Sequence, residues 1–317
     1  MQKSVSIILL IIFALTGAAS AGWKATQKPV KLIGGDGKYL MHPRWSPNGA
    51  MIAFTESNYK GLWVMQADGT GARQITEEVA AGFGFEWAAN ANAIVSRVAK
   101  YEKRFRYNAV KLFDLEKNET RLLTDYRTLM PGLPHWADAD QKVYMYNRNK
   151  LEIFNSGLEP AALVKTAVEK QIHFLKEDKI AIGDITTGAY KVFEPIKGRQ
   201  CLNMTPSPDR KKVAFEIMGG NMYVMNADGT GLTDLGKGHR PQWAPDSEYL
   251  VYMITQDDGH KLLASDLYVI RRDGQEKTPL TVTGDKLEMN PSWSADSKKI
   301  AFDVMHEGVI YVLEVSR

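Results

Sequence analysis

Four of the six histidines fall beside one recurring phrase of the chain, and their placement suggests coordination chemistry. When the copies of the phrase are aligned on a Trp anchor, the residues just before it are Arg44, Glu86, His135, His173, Thr205, Gln242 and Ser292. All seven are polar. Two positions earlier stand His42, Gly84, Leu133, Gln171, Asn203, Arg240 and Asn290, with His239 adjacent to Arg240. Imidazole nitrogens are common metal donors. A site built from His42, His135, His173 and His239 would have to be assembled from distant copies, because no His-x-x-x-His spacing occurs. The other reading is a polar ring that faces a water-filled channel. The candidate binding set is Arg44, Glu86, His135, His173, Gln242, His42, His239 and Arg240; no catalytic residue and no metal ligand is assigned.

The elements that must position these residues are repeats. Pro43-Arg44-Trp45-Ser46-Pro47-Asn48-Gly49 leads to Met51 to Phe54, then Leu62 to Met65, then Asp68-Gly69-Thr70 and Arg73 to Thr76. The order returns from Ser207, from Pro241 and from Pro291, and more weakly at Trp87, Trp136 and Phe174. Each unit reads as four short apolar strands divided by Asp-Gly or Pro-Asp/Asn turns, which supply the positive φ of tight hairpins. Anchors at 45, 87, 136, 174, 206, 243 and 293 recur about every 41 residues, the period of a propeller blade. The expected fold is an all-β, seven-bladed β-propeller. The unit around Phe174 is degenerate, which leaves open a three-stranded blade there or a six-bladed ring with an irregular insertion. The last unit ends at Val309 to Leu313 without an outer strand, and Lys28 to Ile33 resembles Lys277 to Thr281. An N-terminal strand would then complete the last blade and remove an exposed edge.

Composition bounds the function. Hydrophobic residues make up 44% and charged residues 24% of 317, and the formal charge is +3, so no basic excess points to nucleic acid. The one cysteine, Cys201, excludes an intramolecular disulfide and a cysteine-based zinc site. Lys3, the apolar run from Val5 to Leu15 and Ala19-Ser20-Ala21 read as a signal peptide over 1–21, the alternative being an uncleaved anchor. A single propeller domain then covers 22–317. The expected location is periplasmic or secreted, with no transmembrane segment after cleavage and a monomeric state.

The repeat wording resembles the TolB-like β-propeller family, whose unit runs Pro-x-Trp-Ser-Pro-Asp-Gly, Ile-Ala-Phe, Tyr-Val-Met, Asp-Gly-Thr and a Leu-Thr strand. Units one, five, six and seven match it well; units two to four match in order only. TolB carries an α/β domain before its propeller, for which the residues between Gly22 and His42 leave no room. The resemblance implies a protein- or peptide-binding scaffold of the cell envelope more than an enzyme. The alternative is a metal-dependent carbohydrate-active enzyme: oligogalacturonate lyases resemble this class of propeller and use a metal held by histidines, which would make an oligosaccharide the ligand. No cofactor is specified.

Other chemistry is weakly signalled. There is no Gly-x-Ser-x-Gly elbow. Gly34-Gly35-Asp36-Gly37 lacks the Lys-Ser/Thr of a phosphate loop and reads as a turn. Asp68-Gly69, Asp228-Gly229 and Asp273-Gly274 read as hairpin turns rather than calcium sites. Two insertions, 100–106 and 256–261, lengthen units two and six between their second and third strands, where the ring's channel mouth is the expected neighbour. The first mixes aromatic with basic side chains, as interaction surfaces do.

Overall fold

The strands split their side chains between two neighbours, and that division builds the ring. In the computed structural model, which describes residues 22–161 and 170–317, Ile52 and Phe54 pack with Ala301, Ile310 and Val312 of the last blade. Ala53 between them faces Trp87 and Ile94 of the second blade. Alternation along a strand therefore sends large residues to one interface and a small one to the other. Ile300, Ala301 and Phe302 repeat the division, as do Val213, Ala214 and Phe215. The buried residues form seven clusters, one at each interface between consecutive blades, the last-to-first interface included. The seven-bladed ring expected from the repeats is present.

Blade one contains Leu40–Trp45, Met51–Glu56, Lys60–Gln66 and Arg73–Thr76. Blade two contains Glu86–Trp87, Ala93–Glu102, Phe105–Asp114 and Glu119–Leu122. Blades three (His135–Ala137, Lys142–Asn147, Lys150–Asn155) and four (Gln171–Lys176, Lys179–Asp184, Tyr190–Phe193) have three strands each among the described residues. The degenerate unit is thus a short blade, and the six-bladed alternative falls. Blade five contains Cys201–Pro206, Lys212–Ile217, Met222–Asn226 and Thr233–Gly236. Blade six contains His239–Trp243, Tyr249–Asp257, Leu262–Arg271 and Thr278–Pro279. All pairings within blades are antiparallel, each strand against the next in sequence.

Blade seven joins both ends of the described chain. Its strands Glu288–Trp293, Lys299–Val304 and Val309–Ser316 are completed by Val30–Gly34, which pairs Val30 with Val312 and Ile33 with Ile310. Lys24–Ala25 continues along the same edge, opposite Ser316 and Val315. The expected N-terminal closure is therefore present. Gly34, at φ 107°, comes so close to the chain that an added Cβ would sit 2.4 Å from the Gly308 oxygen. Glycine there serves strand closure and the following turn, in accord with the turn reading of 34–37. Trp23 anchors the closing segment, meeting Trp293 edge-on at 4.9 Å and Tyr249 at 5.8 Å. The leader expected over 1–21 lies outside the described residues, and among the described residues no helix is long and apolar enough to cross a membrane.

The Asp-Gly turns are held by their own side chains. Asp68 Oδ1 accepts from the Thr70 N–H and hydroxyl at 2.9 and 2.7 Å, Asp228 does the same for Thr230, and Asp273 accepts from the Gln275 N–H at 3.1 Å. These carboxylates are used as turn acceptors. The 100–106 insertion is a hairpin extension rather than a loop: two ten-residue strands run to a turn at Lys103 and Arg104, both at positive φ.

If the N-terminal segment is part of the ring's packing, Trp23→Ala should cost about 3–5 kcal/mol, as large-to-small core changes do. Urea unfolding should then place it beside Trp136→Ala, at an interface inside the ring. A dangling segment would instead leave the midpoint of Trp23→Ala unchanged.

Candidate functional site

The anchor tryptophans fix the channel wall. Three of the five indoles reach into the preceding interface: Trp87 Nε1 donates to the Arg44 carbonyl at 3.1 Å, Trp136 Nε1 to the Glu86 carbonyl at 3.0 Å, and Trp243 Nε1 to the Thr205 carbonyl at 3.0 Å, whereas Trp45 and Trp293 are buried with Nε1 lacking a hydrogen-bond partner among the described residues. The acceptor is in each case the residue just before the preceding blade's anchor. Its backbone is committed to the interface, and its side chain turns to the other face of the strand. The carbonyl of His173 has no indole to serve it, because blade five has Pro206 at its anchor position; the Tyr144 hydroxyl of blade three takes that place, donating to the His173 carbonyl and accepting from the His173 N–H, both at 3.0 Å.

A repeated bulge sets the aim. The innermost strands of blades one, five, six and seven each lose register between the fourth and the first residue before the anchor, and His42, Asn203, Arg240 and Asn290 there lie at φ between 47° and 60°. Blade two has Gly84 at the same position, φ 69°. A bulge of this kind bends a strand and redirects side chains. Two buried carboxylates hold the bulges across blades. Asp303 Oδ1 accepts from Asn290 Nδ2 of its own blade and from the His42 N–H of the next, both at 2.8 Å. Glu216 Oε1 does the same for Asn203 Nδ2 at 2.7 Å and the Arg240 N–H at 2.5 Å.

The result is a central cavity of about 960 Å³. All seven residues that precede the anchors line it, from Arg44 through Ser292, together with His42 and Arg240. His239 does not; its Nδ1 meets Glu216 Oε2 at 3.0 Å, an interaction that raises its pKa. Of the eight candidate residues, the cavity thus gathers Arg44, Glu86, His135, His173, Gln242, His42 and Arg240. The sequence reading missed the aromatic wall formed by Tyr59, Phe83, Phe85, Tyr144 and Tyr146, and also Arg148 and Arg210. Phe83-Gly84-Phe85 ahead of Glu86-Trp87 carried a usable signal, because aromatic residues flank the bulge position.

The histidines do not converge. His135 Nδ1 lies 3.0 Å from Glu86 Oε2; His42 packs edge-on to Tyr59 and Phe85, and its Nε2 lies 3.5 Å from Arg44 Nη2. His173 is buried, and neither ring nitrogen has a hydrogen-bond partner among the described residues. Burial holds its pKa down to about 3, with Arg210 and His135 adding to the shift; burial likewise keeps His42 well below the usual value. Among the described residues no group of three or more His, Cys, Asp or Glu is placed to hold a metal ion. The residues present do not fit the histidine-held metal weighed above.

No protein-family model matches the chain. A stretch of 45 residues is 49% identical to the Tol-Pal system protein TolB of Anaeromyxobacter dehalogenans (strain 2CP-C), covering 14% of this chain and a tenth of that protein. The crystal structure of TolB from Acinetobacter baumannii superposes with a TM-score of 0.54 at 14% identity, over 81% of this chain and 57% of that one. This chain therefore spans little more than half of that solved relative. Oligogalacturonate lyase from Vibrio parahaemolyticus superposes with a TM-score of 0.57 at 13% identity, over 92% and 95% of the two chains. The chain is similar to TolB in its repeat wording and has the propeller fold of both structures.

Two opposed pH effects should follow. His173 is neutral when folded and titrates near 6.5 when unfolded, so its contribution is complete above 6.5 and is lost as pH falls toward about 3. His173→Leu should hold or raise the melting temperature at pH 7.5 and flatten the loss between pH 6.5 and 4. A lower melting temperature with the slope kept would mean that the imidazole has a stabilising partner. Burial pushes Asp303 up to about 6 despite Asn290, the His42 N–H and Arg240, so its ionised form is disfavoured in the fold. Stability from this group is full below about 4 and is lost as pH rises through 6. Asp303→Asn, which can keep both acceptor bonds, should melt higher than wild type at pH 8, with the difference vanishing toward pH 4 in a calorimetric series.

Proposed function

We propose that the chain is an exported propeller of the cell envelope that binds a peptide or protein segment at the mouth of its central channel. The observation that carries this reading is the lining of the cavity: charged and polar groups from all seven blades stand beside the aromatic side chains of Tyr59, Phe83, Phe85, Tyr144 and Tyr146. His173 and Arg44 there keep polar capacity that their own blades do not use. Aromatic and arginine side chains with room around them are the usual anchors of a protein interface. Retaining an unpartnered imidazole in a buried wall costs stability, which a binding role accounts for. Similarity to TolB, a Tol-Pal system protein, supports an envelope location, as does the leader-like sequence over 1–21.

The long hairpin of blade two belongs to the same surface. Val79 bridges Ala99, and Arg97 Nη1 donates to the Met130 and Pro131 carbonyls at 2.8 Å while its guanidinium covers Phe83 at 5.7 Å. The hairpin is thereby fastened to the rim beside the cavity. Its tip carries Tyr101 and Phe105, 61% and 65% exposed, amid Lys103, Arg104 and Arg106. A bound segment that left the channel on this side would meet an aromatic and basic edge.

Phe83 stands 40% exposed at the mouth, edge-on to Tyr59 at 4.9 Å. In a pull-down from envelope extract, Phe83→Ala should reduce retention of the partner by roughly tenfold, the size of a single interface anchor. Val192→Ala, on the outermost strand of blade four, should bind as wild type does. Loss at Val192 with none at Phe83 would move the interface to the outer edge and overturn the channel assignment.

A further inference from the structure

The channel's charge is unevenly settled, and the imbalance identifies what it takes. Arg44 projects into the cavity from the innermost strand of blade one, and its one side-chain contact among the described residues is His42 Nε2. Arg240, from blade six, gives one Nη to Asn290 Oδ1. Neither guanidinium takes part in an ion pair among the described residues, whereas Arg127, Arg271 and Arg272 all do. The neighbouring acids are committed elsewhere. Asp303 uses Oδ1 for the Asn290 amide and the His42 N–H, Glu216 is bound to Asn203, His239 and the Arg240 N–H, and Glu86 turns to His135. His42 adds no further positive charge, since burial and the two arginines keep it neutral. The arginines also repel each other, and burial together with Arg240 brings Arg44 down to about 10. Two guanidinium groups therefore face one cavity, with Asp303 the acid whose charge acts on both.

An arginine fork matches a carboxylate in shape as well as charge, and leaving such groups without a partner in a partly enclosed wall is costly. The aromatic groups adjoin the charge directly. His42, in contact with Arg44, packs on Tyr59 and Phe85 at ring distances of 6.1 and 6.0 Å, and Tyr59 packs on Phe83. Charge and apolar wall thus follow one another along the channel.

We propose that the channel holds its peptide by a carboxylate seated between Arg44 and Arg240, with a neighbouring apolar side chain of the peptide against Tyr59, Phe83 and Phe85. The inference rests on the peptide-binding reading above and gives it a chemistry. The carboxylate has two sources, an acidic side chain or a free chain end.

Fluorescence anisotropy with three labelled hexapeptides separates them: alternating phenylalanine and glutamate with an amidated end, its glutamine analogue, and that analogue with a free terminal carboxylate. At least one carboxylate-bearing peptide should bind roughly tenfold or more tighter than the neutral amide, and the stronger of the two identifies the source. Arg44→Gln and Arg240→Gln should each abolish the preference. Arg44→Gln should also melt at or above the wild-type temperature, because an unpaired cation has been removed, so its loss of binding will not reflect unfolding. Equal binding of all three peptides would overturn the carboxylate site while leaving peptide binding intact. Failure of all three up to about 1 mM, or binding of a galacturonate oligomer in their place, would overturn the proposal.

Discussion

The indole hydrogen bond that crosses three of the blade interfaces is the constraint from which the channel lining there follows. Trp87, Trp136 and Trp243 each place Nε1 on the carbonyl of the residue before the preceding anchor. That bond takes the backbone of Arg44, Glu86 and Thr205 into the interface, and strand alternation then directs their side chains to the channel. Packing and lining are two consequences of one arrangement. Blade five has Pro206 in place of an anchor tryptophan, and the Tyr144 hydroxyl supplies the donor for the His173 carbonyl instead.

The buried carboxylates extend this economy. Asp303 and Glu216 lie 2% and 5% exposed, each satisfied by an asparagine in its own blade and an N–H in the next. They fix the bulges that carry His42 and Arg240, and neither forms an ion pair with the Arg44 or Arg240 guanidinium among the described residues. The channel keeps cationic donors as a by-product of how its backbone is held.

Much of this was legible in the sequence. The turn dipeptides, the Ile-Ala-Phe wording and the anchor spacing specify blades because each has a local physical cause. Alignment alone assigned the seven lining residues, since a period of two along a strand is enough to separate interface from channel. Blade four was obscure for a reason that shows in its core: Ile182 packs toward blade five where blades one, five and seven turn an alanine to the next blade, and Ala181 packs toward blade three where those blades turn large residues. That the histidines do not converge was not legible. Proximity between blades depends on ring geometry, and His239, adjacent to Arg240 in sequence, turns to Glu216 while Arg240 lines the cavity. The charge imbalance was equally hidden, because it depends on which carboxylates are already bound.

An experimental structure of the chain with its tightest-binding acidic peptide tests the account most directly. Density for a carboxylate within hydrogen-bond distance of both Arg44 and Arg240, with an apolar side chain against Tyr59 and Phe83, is the predicted result. A peptide lying along an outer strand edge, with the channel unchanged, would contradict it.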